Sequence, residues 1–331
     1  MITKSKILNI IGVLIIASAA LSIIFILGKN DKILETKVKR ELGELKFIES
    51  INTGKKVSLV KQFNDSIYFI SWSKSGQGKL FQLSNNKEID FNRYTDSLLI
   101  GDYFISKNNT FTIYNKLKND LLQINSDDKL LYKSNAPIRL SRLFKKDYIY
   151  FITDWDENYR FRRFKFNFED NDLEQLEFND SYLNEYELSG IALDGFFYHN
   201  DDYILNLPFS LNCAYLYDKD FNLIKRIDFI YKKNEFNYQV TPEGQLILDS
   251  NNIHPNLSGA VDASNLYVLI DAGTTSKNNY NFLIDVYNIE SGEYIRSYEI
   301  EKYRGDKPSY FVIKNSQLYL SFGSYINKYQ L

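Results

Sequence analysis

The chain has 331 residues, 44% of them hydrophobic, enough to bury a large core as one extended domain or two ordinary ones. Its 26 Tyr and 24 Phe against 15 Gly, 5 Pro and 1 Met suit half-buried pleated strands better than a helical bundle. With 40 Lys plus Arg against 42 Asp plus Glu, the net charge of −2 offers no excess of positive charge to a phosphate backbone, which argues against nucleic acid as a partner.

After a short tail, residues 1–6, no charged residue occurs from Ile7 to Gly28. As a helix, the 21 residues to Leu27 would rise about 31 Å, close to the thickness of a bilayer's hydrocarbon core. The expectation is a transmembrane anchor over residues 7–28. Lys4 and Lys6 resemble the charged start of a signal peptide and Ala17-Ser18-Ala19 a cleavage site. The apolar run continues through Leu21–Leu27, however, where a cleaved signal turns polar, so an uncleaved single-pass anchor is the preferred reading. Basic residues flank both ends; the export-like start favours placing the rest of the chain on the periplasmic or extracellular side. In residues 29–44 and just beyond, Leu34, Val38, Leu42 and Leu45 recur at helical spacing, which predicts a juxtamembrane linker with helical character.

From residue 45 to 331 the period becomes that of strands. Six tyrosine-centred apolar segments recur: Ile67–Ile70, Asp102–Ile105, Ile149–Ile152, Asp202–Leu205, Leu266–Leu269 and Leu318–Ser321. Their tyrosines are 35, 47, 53, 64 and 52 residues apart, within or near the roughly 40 to 50 residues of a four-stranded propeller blade. The expected fold class is an all-β, six-bladed β-propeller behind one N-terminal transmembrane helix, with seven blades as the alternative. In the first blade the inner strand falls in Lys56–Phe63, the second in Ser66–Trp72, the third in Lys79–Ser84 and the outer one in Glu88–Phe91. Matching third strands precede polar turns at Lys118-Asn119-Asp120, Glu169–Asp172, Asp218-Lys219-Asp220 and Glu290–Glu293, where Asn, Asp and Gly tolerate tight hairpin geometry. The last blade has three strands, Tyr310–Ile313, Gln317–Phe322 and Tyr325–Leu331. The alternating segment Leu45–Ile51 is expected to supply its fourth and close the ring. The long interval Glu235–Ser258 holds two further strand-like pieces, either an insertion in the fifth blade or remnants of a seventh.

The segments Gly259–Gly273, Phe282–Asn288 and Gly292–Arg296 resemble a blade pattern of the TolB-like six-bladed β-propeller proteins of bacteria, particularly a membrane-associated group. The resemblance covers most of residues 45–331. It implies the fold and a membrane setting but carries no catalytic motif, and a widely used fold hosts many functions. Related exported proteins often begin with a lipidated cysteine; here the N-terminus has none, so tethering would fall to residues 7–28.

The search for chemistry yields no nucleophile elbow, metalloprotease, phosphate-loop or EF-hand motif. Cys213, the single cysteine, excludes an intramolecular disulfide and reads as a small buried hydrophobe. With only His199 and His254 no histidine-rich metal site can form, and neither a metal nor a cofactor is expected. Asp154-Trp155-Asp156 gathers carboxylates in a loop, and Arg139 and Arg142 enter the same blade. Trp72, Trp155 and Phe209 each lie at or just beyond a second strand, so their loops project from one face of a propeller and form a candidate aromatic recognition rim. The reading is a membrane-anchored, monomeric propeller that binds or scaffolds a protein, peptide or glycan. The competing reading is a hydrolase or lyase using carboxylates and arginines at the central channel.

Overall fold

Strands such as Ser66–Trp72 and Asn265–Asp271 are apolar at successive positions, and their five central residues are all buried. Side chains alternate between the two faces of a strand, so such a run is satisfied only when both faces of its sheet are covered. The computed structural model meets this demand by setting sheets face to face around a ring. It describes residues 40–331 except 64–65, 73–77, 90, 96–99, 106–109, 126–128, 137–141, 147–148, 156–160, 168–171, 177–191, 200–201, 232–237, 241–245, 249–254, 263 and 273–281.

The chain enters through β1 (Leu42–Gly43) and β2 (Lys46–Asn52) and then builds antiparallel meanders. The first is β3 (Leu59–Phe63), β4 (Ser66–Trp72), β5 (Gly78–Gln82) and β6 (Glu88–Ile89); the second, after a 3-10 turn at Asn92–Tyr94, is β7 (Ile100–Ile105), β8 (Phe111–Asn115), β9 (Asp120–Ile124) and β10 (Leu130–Asn135). Next come β11 (Arg142–Lys146), β12 (Ile149–Trp155), β13 (Phe161–Asn167) and β14 (Asp172–Leu176), then β15 (Gly195–His199), β16 (Ile204–Pro208), β17 (Cys213–Tyr217) and β18 (Leu223–Asp228). A separate hairpin, β19 (Tyr238–Val240) with β20 (Leu246–Leu248), precedes β21 (Asn256–Val261), β22 (Asn265–Asp271), β23 (Phe282–Asn288) and β24 (Tyr294–Ile300). The chain ends in β25 (Pro308–Lys314), β26 (Gln317–Phe322) and β27 (Tyr325–Gln330). β2 pairs antiparallel with β27, and β1 adds in parallel to the outer side of β24.

The first strands of the meanders line the inside. β25 lies beside β21 and β3, β15 beside β21 and β11, and β11 beside β7. The seams between blades are the core. Leu266, Val268 and Ile270 of β22 pack with Leu205, Leu207 and Leu216 of the preceding blade. The intervening Tyr267 and Leu269 pack with Phe311, Leu318 and Leu320 of the following one. Val60, Phe69 and Phe81 meet Val312 and Ile326, which joins the beginning of the array to its end.

Three sequence expectations need correction. A six-bladed propeller, or a seven-bladed one, behind one N-terminal transmembrane helix does not describe this structure. Among the described residues five sheets have four strands, one has five because β1 joins it, and β19–β20 stands apart as a two-stranded sheet. No helix among the described residues is long and apolar enough to cross a membrane, and residues 7–28 lie outside them. The helical spacing read into the linker also misleads at its end: Leu42 and Gly43 are extended, because the edge of β24 and a side-chain partner for Arg40 capture them. Finally, Asp102–Ile105 falls in the inner strand β7 rather than a second strand. Strands buried on both faces have the same composition wherever they stand in a blade, so the tyrosine signal could not reveal the offset; its one trace is the short 35-residue interval before Tyr103, which passes for a blade length.

At the β17–β18 turn the Asp218 carboxylate accepts hydrogen bonds from the backbone N–H groups of Asp220 and Asn222, both at 2.8 Å. Partial burial works against its ionisation, but these bonds and one from the Asn222 side chain prevail and hold its pKa below the usual value.

Burial pushes the Cys213 thiol up to about 12, against a smaller opposing effect of the Tyr215 hydrogen bond. The native chain should therefore leave a thiol-specific disulfide reagent unconsumed at pH 8 and react with one equivalent once unfolded in guanidinium; prompt native reaction would place Cys213 elsewhere. A chain beginning at residue 53 should lose β2, expose the edge of β27 and aggregate on size exclusion. A monodisperse product with unchanged melting would show that the closing strand is dispensable.

Candidate functional site

In each antiparallel meander the loop between second and third strands shares a face with the crossing from outer strand to next inner strand. The other hairpins lie on the opposite face. Trp72 is the last residue of β4, Trp155 the last of β12, and Phe209 follows β16, so all three occupy the crossing face at the backbone level. Leu117 lies in the β8–β9 loop and joins them there. It is 60% exposed, against 36% for Trp72. Sequence reading missed Leu117 because the one-strand offset had placed its loop on the other face.

Local chemistry explains the Leu117 loop. Asn115 Oδ1 accepts a hydrogen bond from Leu117 N at 3.2 Å, and the Tyr114 hydroxyl bonds Asn119 Oδ1 at 2.9 Å. Asn119 has φ of 56°, a conformation asparagine tolerates better than most residues. Lys116 and Lys118 flank the leucine, and both are exposed.

Phe209 differs in kind. It is half-buried, with its ring edge-on to Phe196 at 4.8 Å, and Phe196 meets Tyr310 at 6.1 Å. Phe196 belongs to β15 and Tyr310 to β25, inner strands separated by β21, so these rings cap the inner end of the ring of blades. The Phe209 backbone N–H donates to Asp194 O at 2.9 Å, and its carbonyl accepts from Asn256 N at 3.3 Å. Beneath it, buried Asn256 donates through Nδ2 to the carbonyls of Pro208 and Leu211 at 2.5 and 2.7 Å and accepts from the Tyr231 hydroxyl. Tyr198, on β15, accepts from Gly259 N at 2.7 Å; burial raises its pKa well above the ordinary phenol value and keeps it neutral. Phe209 is therefore a structural cap more than a free recognition residue.

The crossing from β24 to β25 contributes a second surface. Tyr303 and Asp306 exchange backbone hydrogen bonds of 3.1 and 3.0 Å around Arg304 and Gly305, whose φ values of 52° and 86° suit the two central positions of a type I′ turn. This presents the exposed Arg304 guanidinium 4.6 Å from the centre of the Tyr325 ring and 5.6 Å from that of Tyr303, with Nη1 donating to the Tyr325 hydroxyl at 2.7 Å. An arginine held against aromatic rings keeps its charge but loses much of its rotamer freedom. Exposed Lys302 and Lys307 flank it, Lys307 lying 3.8 Å from Asp271.

The carboxylate–arginine group expected in the third meander falls largely outside the described residues. Arg139 and Asp156 lie outside the described residues. In the register, Arg142 pairs with Thr153 and Asp154 with Arg162. No group of three or more His, Cys, Asp or Glu arranged to hold a metal occurs among the described residues. His199 ends β15 toward the hairpin face, and His254 lies outside the described residues.

No family model matches the chain, and no curated protein is similar enough in sequence to count as a relative. Solved structures do share its shape. Virginiamycin B lyase from Staphylococcus aureus has a TM-score of 0.53 at 11% identity, covering 87% of this chain and all of that one (100%). A member of the DUF4221 family from Bacteroides vulgatus has a TM-score of 0.54 at 12% identity, covering 88% and 98%. The β-propeller domain of Myceliophteria thermophila Cps50 (Swd1) has a TM-score of 0.50 at 10% identity, covering 87% and 100%. At these identities the likeness establishes the β-propeller fold alone, and a shared fold does not fix a function.

Substitution should separate rim from cap. Leu117→Ala should change stability by less than about 0.5 kcal/mol, whereas Phe209→Ala should cost about 2 kcal/mol, below the value for a fully buried phenylalanine. Urea titrations followed by tryptophan fluorescence measure both. Equal costs would mean that the two side chains have the same role.

Proposed function

We propose that the chain is a binding or scaffolding module whose crossing face docks a protein, peptide or glycan partner, and that its uncharged segment 7–28 holds it at a membrane with the disc on the exported side. The observation that carries this reading is the concentration on one face of Trp72, Leu117 and the Tyr303–Arg304–Tyr325 cluster. Trp, Tyr and Arg dominate binding hot spots because they bury large areas and retain a polar or charged group for orientation. The remaining large exposed hydrophobics among the described residues lie on outer strands or near the N-terminal entry: Leu42, Phe47, Ile48, Leu130, Leu131 and Ile224.

The direction of the arm supports the same arrangement. β1 runs parallel to β24, from the hairpin face toward the crossing face, so the chain ahead of Leu42 approaches from the hairpin side. A tether at residues 7–28 then leaves the crossing face turned away from its anchorage. The blade pattern at Gly259–Gly273 supports kinship with TolB-like propellers. The hydrolase or lyase reading lacks comparable support, since no group of His, Cys, Asp and Glu arranged to hold a metal occurs among the described residues and the sequence carries no catalytic motif.

Full-length chain carrying Trp72→Ser, Leu117→Ser and Arg304→Ser should keep its melting temperature within a few degrees but lose the proteins or glycans that cross-link to the unsubstituted chain in native membranes. Ile224→Ser, on an outer strand, should retain them. The reverse pattern would move the docking surface to the outer rim and overturn the assignment.

A further inference from the structure

Asp285 sits at the centre of β23 with no exposed surface, between Leu283 and Tyr287 on the strand face that packs into the seam with the β15–β18 blade. An unpaired carboxylate at such a place is strongly unfavourable. Its partner comes from outside the blades. Arg40 Nε and Nη2 donate to Oδ1 and Oδ2 at 3.3 and 3.2 Å, and the Arg40 side chain is 8% exposed. Ser297 Oγ donates to Oδ1 at 2.5 Å. Burial first, with the Asp285 charge adding to it, raises the Tyr231 and Tyr287 phenols well above their ordinary pKa, so the rings around the pair stay neutral.

The residues after Arg40 are held as a strand. Leu42 and Gly43 align with Ser297 and Tyr298; Glu41 O accepts from Ser297 N at 2.8 Å and from the Tyr294 hydroxyl at 3.3 Å. Gly43 permits the close approach, because a Cβ there would lie 2.6 Å from Tyr298 Cε1. The slot thus reads a forked cation, an extended backbone and a residue without a side chain three positions later.

We propose that Asp285, Ser297 and the outer edge of β24 form a recognition site for an arginine carried on an extended strand, filled here in cis by Arg40–Gly43 as a strap. The strap locks the seam between two blades to the position of the N-terminal segment, since withdrawing it strips the buried carboxylate of its counter-charge. A guanidinium matches the carboxylate in two parallel bonds; a lysine ammonium offers a point charge and cannot. The inference is independent of what the crossing face binds.

The test uses the full chain with a specific protease site inserted between Glu44 and Leu45. After cleavage in detergent solution, the N-terminal fragment should remain with residues 45–331 captured through a C-terminal tag, and a synthetic peptide of residues 36–44 should displace it. The Arg40→Lys chain should release its fragment on cleavage, and the matching lysine peptide should fail to compete. In the uncut chain Arg40→Ala should lower the melting temperature by roughly 5 °C or more, and Arg40→Ala with Asp285→Asn should recover most of it, because the uncompensated charge is gone. Release of the unsubstituted fragment, retention of the lysine fragment, or an Arg40→Ala chain that melts like the parent would each overturn the proposal.

Discussion

A strand that is apolar at every position cannot rest at the edge of a two-layer fold, because one of its faces would meet water. That constraint organises the whole molecule. In β22 the residues that point one way fill the seam with the preceding blade and those between them fill the seam with the next. Each blade is therefore stable only between neighbours, and the array must return to its start. The return is made by Val60, Phe69 and Phe81 against Val312 and Ile326, and by β2 on β27, which joins residues more than 270 positions apart into one sheet.

Polar groups buried in the seams tie blades together at defined points. Asn256 fastens the start of β21 to the carbonyls of Pro208 and Leu211 in the blade before it. Arg163 of β13 donates to the Tyr217 hydroxyl at 2.6 Å and lies over the rings of Tyr217 and Phe221, bridging to the β15–β18 blade. Arg40 and Asp285 do the same from the outside. Such groups gain little net stability over well-packed apolar ones, but removal of one partner is costly, so they oppose slippage between otherwise similar apolar faces.

Among the described residues the two faces of the disc are chemically unlike for a simple topological reason. Tight hairpins such as Asp218–Asn222 and Asn288–Glu293 satisfy their own backbone through side-chain and main-chain hydrogen bonds and present compact polar turns. The opposite face carries the crossings, and there Leu117, Trp72 and the Arg304 turn stand out. A rigid ring lets such separated loops hold a common geometry without contacting one another, which lowers the ordering cost of binding a broad partner.

Much of this was legible in the residues themselves. Runs such as Ile67–Ile70 and Leu266–Leu269, with polar turns at Asp218 and Glu290, specify buried strands and hairpins locally, because pleat period and turn chemistry act over a few residues. The alternation of Leu45–Ile51 likewise marks a strand. The three strands of the last blade also leave a place for it beside Tyr325–Gln330. The placement of Tyr103 in an inner strand, and the capture of Leu42 and Gly43 by β24 in spite of their helical spacing, were decided by tertiary contacts. So was the character of the candidate site. Trp72 and Phe209 look alike in sequence, yet one reaches solvent and the other packs on Phe196; Leu117 is an unremarkable leucine until its loop is placed on the crossing face. Asp285, one carboxylate among many, acquires its meaning only from Arg40, 245 residues away. Local pattern determines which segments become strands, whereas long-range burial and charge pairing determine which neighbour each strand takes and which side chains remain outside.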